Sequence, residues 1–82
     1  MKLFYFNPNT YGGEFFVMSK SKESALENLK KYLKEESVKE GENEDWYKEE
    51  YGYWKDATMD SLPFKYTIEE YEEGKIIESE IA

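Results

Sequence analysis

One apolar stripe constrains the fold of this chain more than any other feature of its sequence. Within residues 21–36, charged residues separate apolar side chains that recur at helical spacing, namely Ala25, Leu26, Leu29, Tyr32 and Leu33. Ser21 is placed to cap the first turn with its hydroxyl, and Glu23 complements the positive end of the helix. Because a helix with one apolar face must bury that face, the flanking segments have to supply a second layer.

The two segments before the stripe are typical of strands. Both are short, aromatic and separated by turn-forming Asn, Pro and Gly; they are residues 2–6 (KLFYF) and 14–19 (EFFVMS). Alternation places Leu3 and Tyr5 on one side of the first strand, and Phe4 and Phe6 on the other. Since both strands are apolar on both faces, we expect the helix to cover one face and another layer or a partner to cover the other.

Residues 44–55 (EDWYKEEYGYWK) are predicted to form a second, shorter helix capped by Asn43 and weakened by Gly52. This segment contains both tryptophans of the chain. One aromatic line at helical spacing is predicted to close the core, and it consists of Tyr47, Tyr51 and Trp54. Trp46 and Tyr53 form an adjacent line and are the better candidates to contact a partner.

The last part of the chain is predicted to form a second hairpin. Residues 64–71 alternate between apolar and polar side chains, and a turn around Gly74 leads into a return strand over residues 76–81. The predicted order is therefore β-β-α-α-β-β in a single domain, residues 1–82. The fold class is α+β, with one antiparallel four-stranded sheet of two hairpins and the long helix packed on one face. The order of the strands stays open.

Composition excludes most catalytic chemistry. Histidine and cysteine are absent, which removes Ser-His and Cys-His nucleophilic sites and zinc sites. Gly12-Gly13 lacks the residues of a phosphate-binding loop, and the acids beside Gly41 lack the spacing of a helix-loop-helix calcium site. Paired carboxylates remain, but a domain of this size has little room for a substrate cleft. We expect no enzymatic activity, no catalytic residue, no metal and no cofactor.

The charge of the chain limits its partners. Asp and Glu number 19 against 11 Lys and Arg, for a net charge of −8. This disfavours direct binding to nucleic acid and to anionic membranes, because both require clustered basic residues. A partner is expected to present a basic protein surface, although acidity also serves solubility alone. The absence of cysteine, of a signal-peptide pattern and of an apolar run near ~20 residues predicts a cytoplasmic protein without a membrane span.

Two interaction hypotheses follow. In the first, the protein occupies a basic surface meant for nucleic acid, and its carboxylates mimic the spacing of phosphates. The candidate carboxylates are Glu42, Glu44, Asp45, Glu49, Glu50, Glu69, Glu70, Glu72 and Glu73. In the second, Trp46 and Tyr53 anchor a protein-binding or self-associating module, with a homodimer as one form. Stacking of a flat small ligand on the same aromatic residues is a third option.

Three stretches carry a resemblance to known proteins. They are Tyr11-Gly12-Gly13 between aromatic strands, the helix start SKESAL, and the ending YTIEEYEEGKIIESEIA. Together they resemble small uncharacterised acidic proteins carried by bacteriophages and prophages. The resemblance implies no catalytic residue. It implies inhibition of host machinery, as by anti-CRISPR and anti-restriction proteins, and so favours an inhibitor that occupies a basic surface of a CRISPR or restriction component.

Overall fold

The computed structural model describes residues 1–9, 13–72 and 74, and it shows an α+β protein. Its elements in chain order are β1 (Lys2–Asn7), β2 (Phe15–Ser19), α1 (Lys22–Ser37), α2 (Glu44–Trp54) and β3 (Thr67–Tyr71). The strands form one antiparallel sheet in the order β2-β1-β3, so the first strand of the chain lies at its centre. The predicted α+β class is confirmed.

The sheet differs from the predicted arrangement of four strands in two hairpins. In the described part of the chain it has three strands, and β1 pairs with β2 on one side and with β3 on the other. The predicted return strand over residues 76–81 lies outside the described residues. β3 begins at Thr67 and not at residue 64, because Phe64 lies in a turn and has a positive φ of 54°. A strand residue requires a negative φ.

The core lies between the sheet and the two helices. Strand alternation directs Phe4 and Phe6 of β1 to the helical side, where both are fully buried. Four residues of the predicted α1 stripe are buried against them: Ala25, Leu26, Leu29 and Leu33. Trp54 of α2 is also fully buried and packs edge-on against Phe6, with 5.6 Å between ring centroids. Full burial of a Leu or Phe side chain contributes roughly 1.5–3 kcal/mol to folding.

α1 begins as predicted, at a serine cap. Ser21 Oγ accepts a hydrogen bond of 3.1 Å from the Ser24 amide. Ser19, the buried last residue of β2, donates to Ser24 Oγ at 2.7 Å and accepts from the Asn28 amide group at 3.3 Å. These bonds join the end of β2 to the first two turns of α1, so they hold the helix close to that strand.

α2 agrees with its predicted bounds but not with its predicted cap. Asn43 occupies the N-cap position, yet its side chain makes no capping hydrogen bond. The helix continues through Gly52 to Trp54 without a break. Tyr47 and Tyr51 are half-buried and pack against the core beside Trp54, which confirms the predicted inner aromatic line.

Candidate functional site

The outer edge of β2 is the most distinctive surface of the protein. Within the described ranges β2 pairs only with β1, which lies on its inner side, and no strand pairs with the outer edge. Proteins normally protect such an edge with charged residues or proline. β3, the other outer strand, carries Glu69 and Glu70, but β2 reads FFVMS and has no charge. Phe16 and Met18 of β2 are 63% and 56% exposed.

These two side chains belong to an apolar face of the sheet that lies opposite the helices. The strand register places Met18, Leu3 and Tyr71 in one row across this face, and Phe16, Tyr5 and Glu69 in the next. The Phe16 and Tyr5 rings stack, with centroids 4.7 Å apart and planes inclined by 14°. This arrangement agrees with the prediction that both faces of the first hairpin are apolar. We term the side of the sheet opposite the helices the open face.

A groove runs between the outer edge of β2 and α1. Its volume is about 410 Å³. It is lined by Glu14, Phe15, Phe16, Val17, Met18, Asn28, Leu29 and Tyr32. Leu29 is buried at the base, whereas Tyr32 is exposed on the helical wall. We refer to this groove together with the outer edge of β2 as the β2 groove. An extended peptide laid along β2 would direct alternate side chains into it and onto the open face.

Trp46 of α2 lies at the start of β2, beside this groove. Its ring is 6.3 Å from that of Phe15, and it also packs at right angles to Tyr47 at 5.0 Å. Tyr47 in turn contacts Tyr32, a groove residue, with 6.0 Å between ring centroids and 3.4 Å between hydroxyl oxygens. Trp46 remains 42% exposed. Trp46, one of the two aromatic residues predicted to face a partner, thus reaches the same surface as the uncharged strand edge, which sequence patterns did not predict.

Tyr53, the other predicted aromatic anchor, has different surroundings. Its ring packs against Phe64 at 4.8 Å, and its hydroxyl donates to the Glu49 carboxylate at 2.9 Å. Neither contact involves β2. The predicted pair of anchors therefore divides, with Trp46 beside the β2 groove and Tyr53 beside the turn that precedes β3.

Glu50 does not lie on the solvent-facing side of α2. It is 7% exposed, because it lies three residues after Tyr47 and four before Trp54 and so shares their inner face. Burial raises the pKa of its carboxyl. The nearby Trp54 indole opposes this rise but does not reach hydrogen-bond geometry. Glu50 therefore does not join the exposed carboxylates with which sequence reasoning grouped it.

The predicted acids of β3 are divided between two surfaces. Glu69 lies opposite Tyr5 on the open face, and Glu70 lies opposite Phe4 on the helical side. Lys2 binds Glu70 at 3.0 Å and Glu72 at 3.3 Å, and these hydrogen bonds raise the pKa of Lys2. The proposed array is thus partly neutralised here. Glu73 lies outside the described residues.

The remaining predicted acids lie on or beside α2. Asp45 and Glu49 are exposed and separated by one helical turn, and Glu42 is exposed in the preceding connection. Glu44 is half-buried, and its Oε1 lies 3.8 Å from Lys48 Nζ. A small acidic surface therefore survives on the outer side of α2, next to Trp46. It is much shorter than the continuous array predicted from sequence.

Among the described residues, no group of three or more Asp, Glu, His or Cys side chains could hold a metal ion. No helix in the same part of the chain has the length and apolar character needed to cross a membrane. No protein-family model, curated protein or solved structure matches this chain.

Proposed function

We propose that this protein is a protein-interaction module whose binding surface is the β2 groove. The observation that carries the proposal is the outer edge of β2, which is uncharged, pairs with no strand among the described residues, and exposes Phe16 and Met18. The backbone N–H and C=O groups that point outward from such an edge can pair with an added strand. The protein would therefore bind an extended segment of its partner.

The side chains beside the edge supply selectivity for such a segment. Residues of the added strand alternate between the open face, where they would contact Phe16 and Met18, and the groove above Leu29. Trp46 and Tyr32 flank the strand on the helical side, and tryptophan and tyrosine are frequent anchors of interfaces. Hydrophobic and aromatic side chains in alternate positions of the partner fit this arrangement best.

A second candidate function uses the outer side of α2. Asp45 and Glu49 are exposed there next to Trp46, in a chain with a net charge of −8. This surface would occupy a basic surface of another protein, such as the nucleic-acid-binding site of a CRISPR or restriction component. The resemblance to acidic phage proteins supports this candidate, while the burial of Glu50 and the pairing of Glu70 and Glu72 with Lys2 weaken it.

Capture of proteins from a bacterial lysate by the immobilised chain distinguishes the two functions. Phe16→Glu places a charge on the exposed edge, and Val38→Glu makes the same change at an exposed residue outside the groove. If the β2 groove binds the partner, Phe16→Glu abolishes capture and Val38→Glu does not. A partner that Phe16→Glu retains is not bound by the groove, and such a result would count against the proposal.

The acidic surface is tested in the same experiment with Asp45→Asn combined with Glu49→Gln. Binding through carboxylates falls steeply as salt rises, because exposed charges are screened within about 8 Å at physiological ionic strength. Loss of the captured protein both at high salt and in this double variant would favour the second candidate. Capture that depends on Phe16 and changes little with salt favours the β2 groove.

A further inference from the structure

We propose that the segment bound at the β2 groove is β2 of a second copy of this chain. Two β2 strands would pair antiparallel about a two-fold axis at Val17 and join the three strands described in each copy into one continuous sheet. This inference rests on the proposed function, because it names the occupant of the same groove. The strand that fits the edge is then already present in the protein.

The sequence around β2 is self-complementary in this register. Val17 faces Val17 of the second copy on the helical side, and Phe16 faces Met18 on the joined open face, so apolar side chains meet on both sides of the joined sheet. Directly opposed residues of an antiparallel pair have Cβ atoms about 4.5–5.5 Å apart, which is close enough for contact. Glu14 faces Lys20 of the second copy, and by symmetry the same pair forms at the other end. Both residues are exposed.

Neighbouring registers lack this match. Each face of the strand must stay on its own side of the sheet, so the register can shift only in steps that preserve the alternation. The next register in one direction places Glu14 opposite Met18, and the next in the other direction places Lys20 opposite Phe16. Each places a charge opposite an apolar side chain and loses the two Glu14–Lys20 pairs. The register centred on Val17 therefore combines apolar contacts with opposite charges at both ends.

The charges of the rest of the molecule permit this contact. Two chains of net charge −8 repel each other, but β2 itself carries no acid, and the exposed acids described above, Glu14 aside, lie on or beside α2 and β3. The Glu14 carboxylate already accepts a hydrogen bond of 2.8 Å from the Tyr5 hydroxyl, which raises the pKa of Tyr5 to about 12. That bond holds Glu14 on the open face, at the end of the proposed contact between the two β2 strands. A carboxylate has two oxygens, so it can also accept from Lys20 of the second copy.

Charge exchange between Glu14 and Lys20 tests the inference in the full-length chain. The wild-type chain should form dimers in a concentration-dependent way in sedimentation equilibrium, and amides of residues 15–19 should exchange more slowly in the dimer. Glu14→Lys and Lys20→Glu each place two like-charged pairs in the contact between the two β2 strands. Each variant alone should dimerise about tenfold more weakly than wild type.

An equimolar mixture of the two single variants should restore association. One chain then carries Lys at both positions and the other Glu at both, so the heterodimer again has two opposite-charge pairs. The double variant Glu14→Lys/Lys20→Glu should likewise regain wild-type affinity. Glu40→Lys and Lys31→Glu make the same changes in net charge at exposed positions outside β2 and are the controls. Mixing these two variants should not strengthen their association.

Three results would overturn the inference. They are a wild-type chain that stays monomeric up to about 1 mM, single variants that associate as tightly as wild type, and a mixture no tighter than its components. Restoration in the mixture also shows that both variants are folded. The proposed function has a separate test, because loss of a captured protein in Phe16→Glu would support the groove as a binding site even for a monomeric chain.

Discussion

The indole of Trp46 lies directly against Gly13, the residue that leads into β2. A Cβ added at Gly13 would lie 3.0 Å from Trp46 Cζ2 and 3.1 Å from Phe15 Cζ. The absence of a side chain at this position therefore allows a helix residue to pack at the beginning of the edge strand. This contact connects the aromatic helix to the surface that we propose binds a partner.

Gly13→Ala should displace Trp46 from the end of β2. The added methyl group meets two rings at distances tighter than most packing contacts, but Trp46 is half-exposed and can move, so the cost in stability should be near the low end of overpacking, about 1 kcal/mol. Acrylamide quenching of tryptophan fluorescence should increase. Gly41→Ala is the control, since an added Cβ there meets nothing within 4 Å. Unchanged quenching would show that the contact does not hold Trp46.

Tyr66→Phe should destabilise the protein by about 1–2 kcal/mol. The buried Tyr66 hydroxyl donates a 2.6 Å hydrogen bond to the Gly13 carbonyl and so links the segment before β3 to the start of β2. Its loss leaves that carbonyl with one partner fewer. The free energy of unfolding is measured by urea denaturation. Tyr53→Phe removes a hydroxyl that bonds Glu49 in an exposed position and should cost less. Equal losses in the two variants would contradict this account.

Ser21→Ala should lower the free energy of unfolding by about 1 kcal/mol. The Ser21 hydroxyl accepts from the Ser24 amide, and the substitution leaves that amide without its capping partner. The matched change is Asn43→Ala at the N-cap position of α2. The Asn43 side chain makes no capping bond, so only a few tenths of a kcal/mol should be lost. Thermal or urea denaturation of the two variants compares them directly, and a larger loss at Asn43 would refute the assignment of caps.

Glu50 should make the stability of the protein fall as pH rises through the mildly acidic range. Burial raises the pKa of Glu50 in the folded state, so between the unfolded and folded pKa values the folded chain binds more protons. The free energy of unfolding therefore decreases as pH rises from the ordinary carboxyl pKa through the folded-state value, and the loss is absent below that window. Glu50→Gln removes this contribution.

The measurement is the free energy of unfolding of wild type and Glu50→Gln across this pH range. The variant should gain stability relative to wild type as pH rises. Glu40→Gln makes the same change at an exposed residue outside α2 and serves as the control, because Glu49 itself raises the pKa of Glu50. A variant that loses stability relative to wild type as pH rises would show the wrong sign and would exclude the burial effect.

Local patterns predicted the helices well. The spacing of Leu26, Leu29 and Leu33 and the cap at Ser21 each relate successive residues three or four positions apart, and the structure follows them. The same periodicity places Glu50 on the face of Trp54, so its burial was detectable from the helical spacing of α2. Its acidic character favoured a surface assignment instead. The separation of exposed Trp46 from buried Trp54 was also predicted from spacing.

By itself, the sequence determined the α+β class, the positions of both helices and the apolar character of both faces of the first hairpin. Only the tertiary structure decided that β1 lies at the centre of the sheet, that the edge of β2 is unpaired among the described residues, and that Trp46 lies beside it. Helical spacing records neighbours within one or two turns. Strand order and the meeting of α2 with β2 depend on contacts between residues far apart in the chain, for which alternation and propensity carry no register.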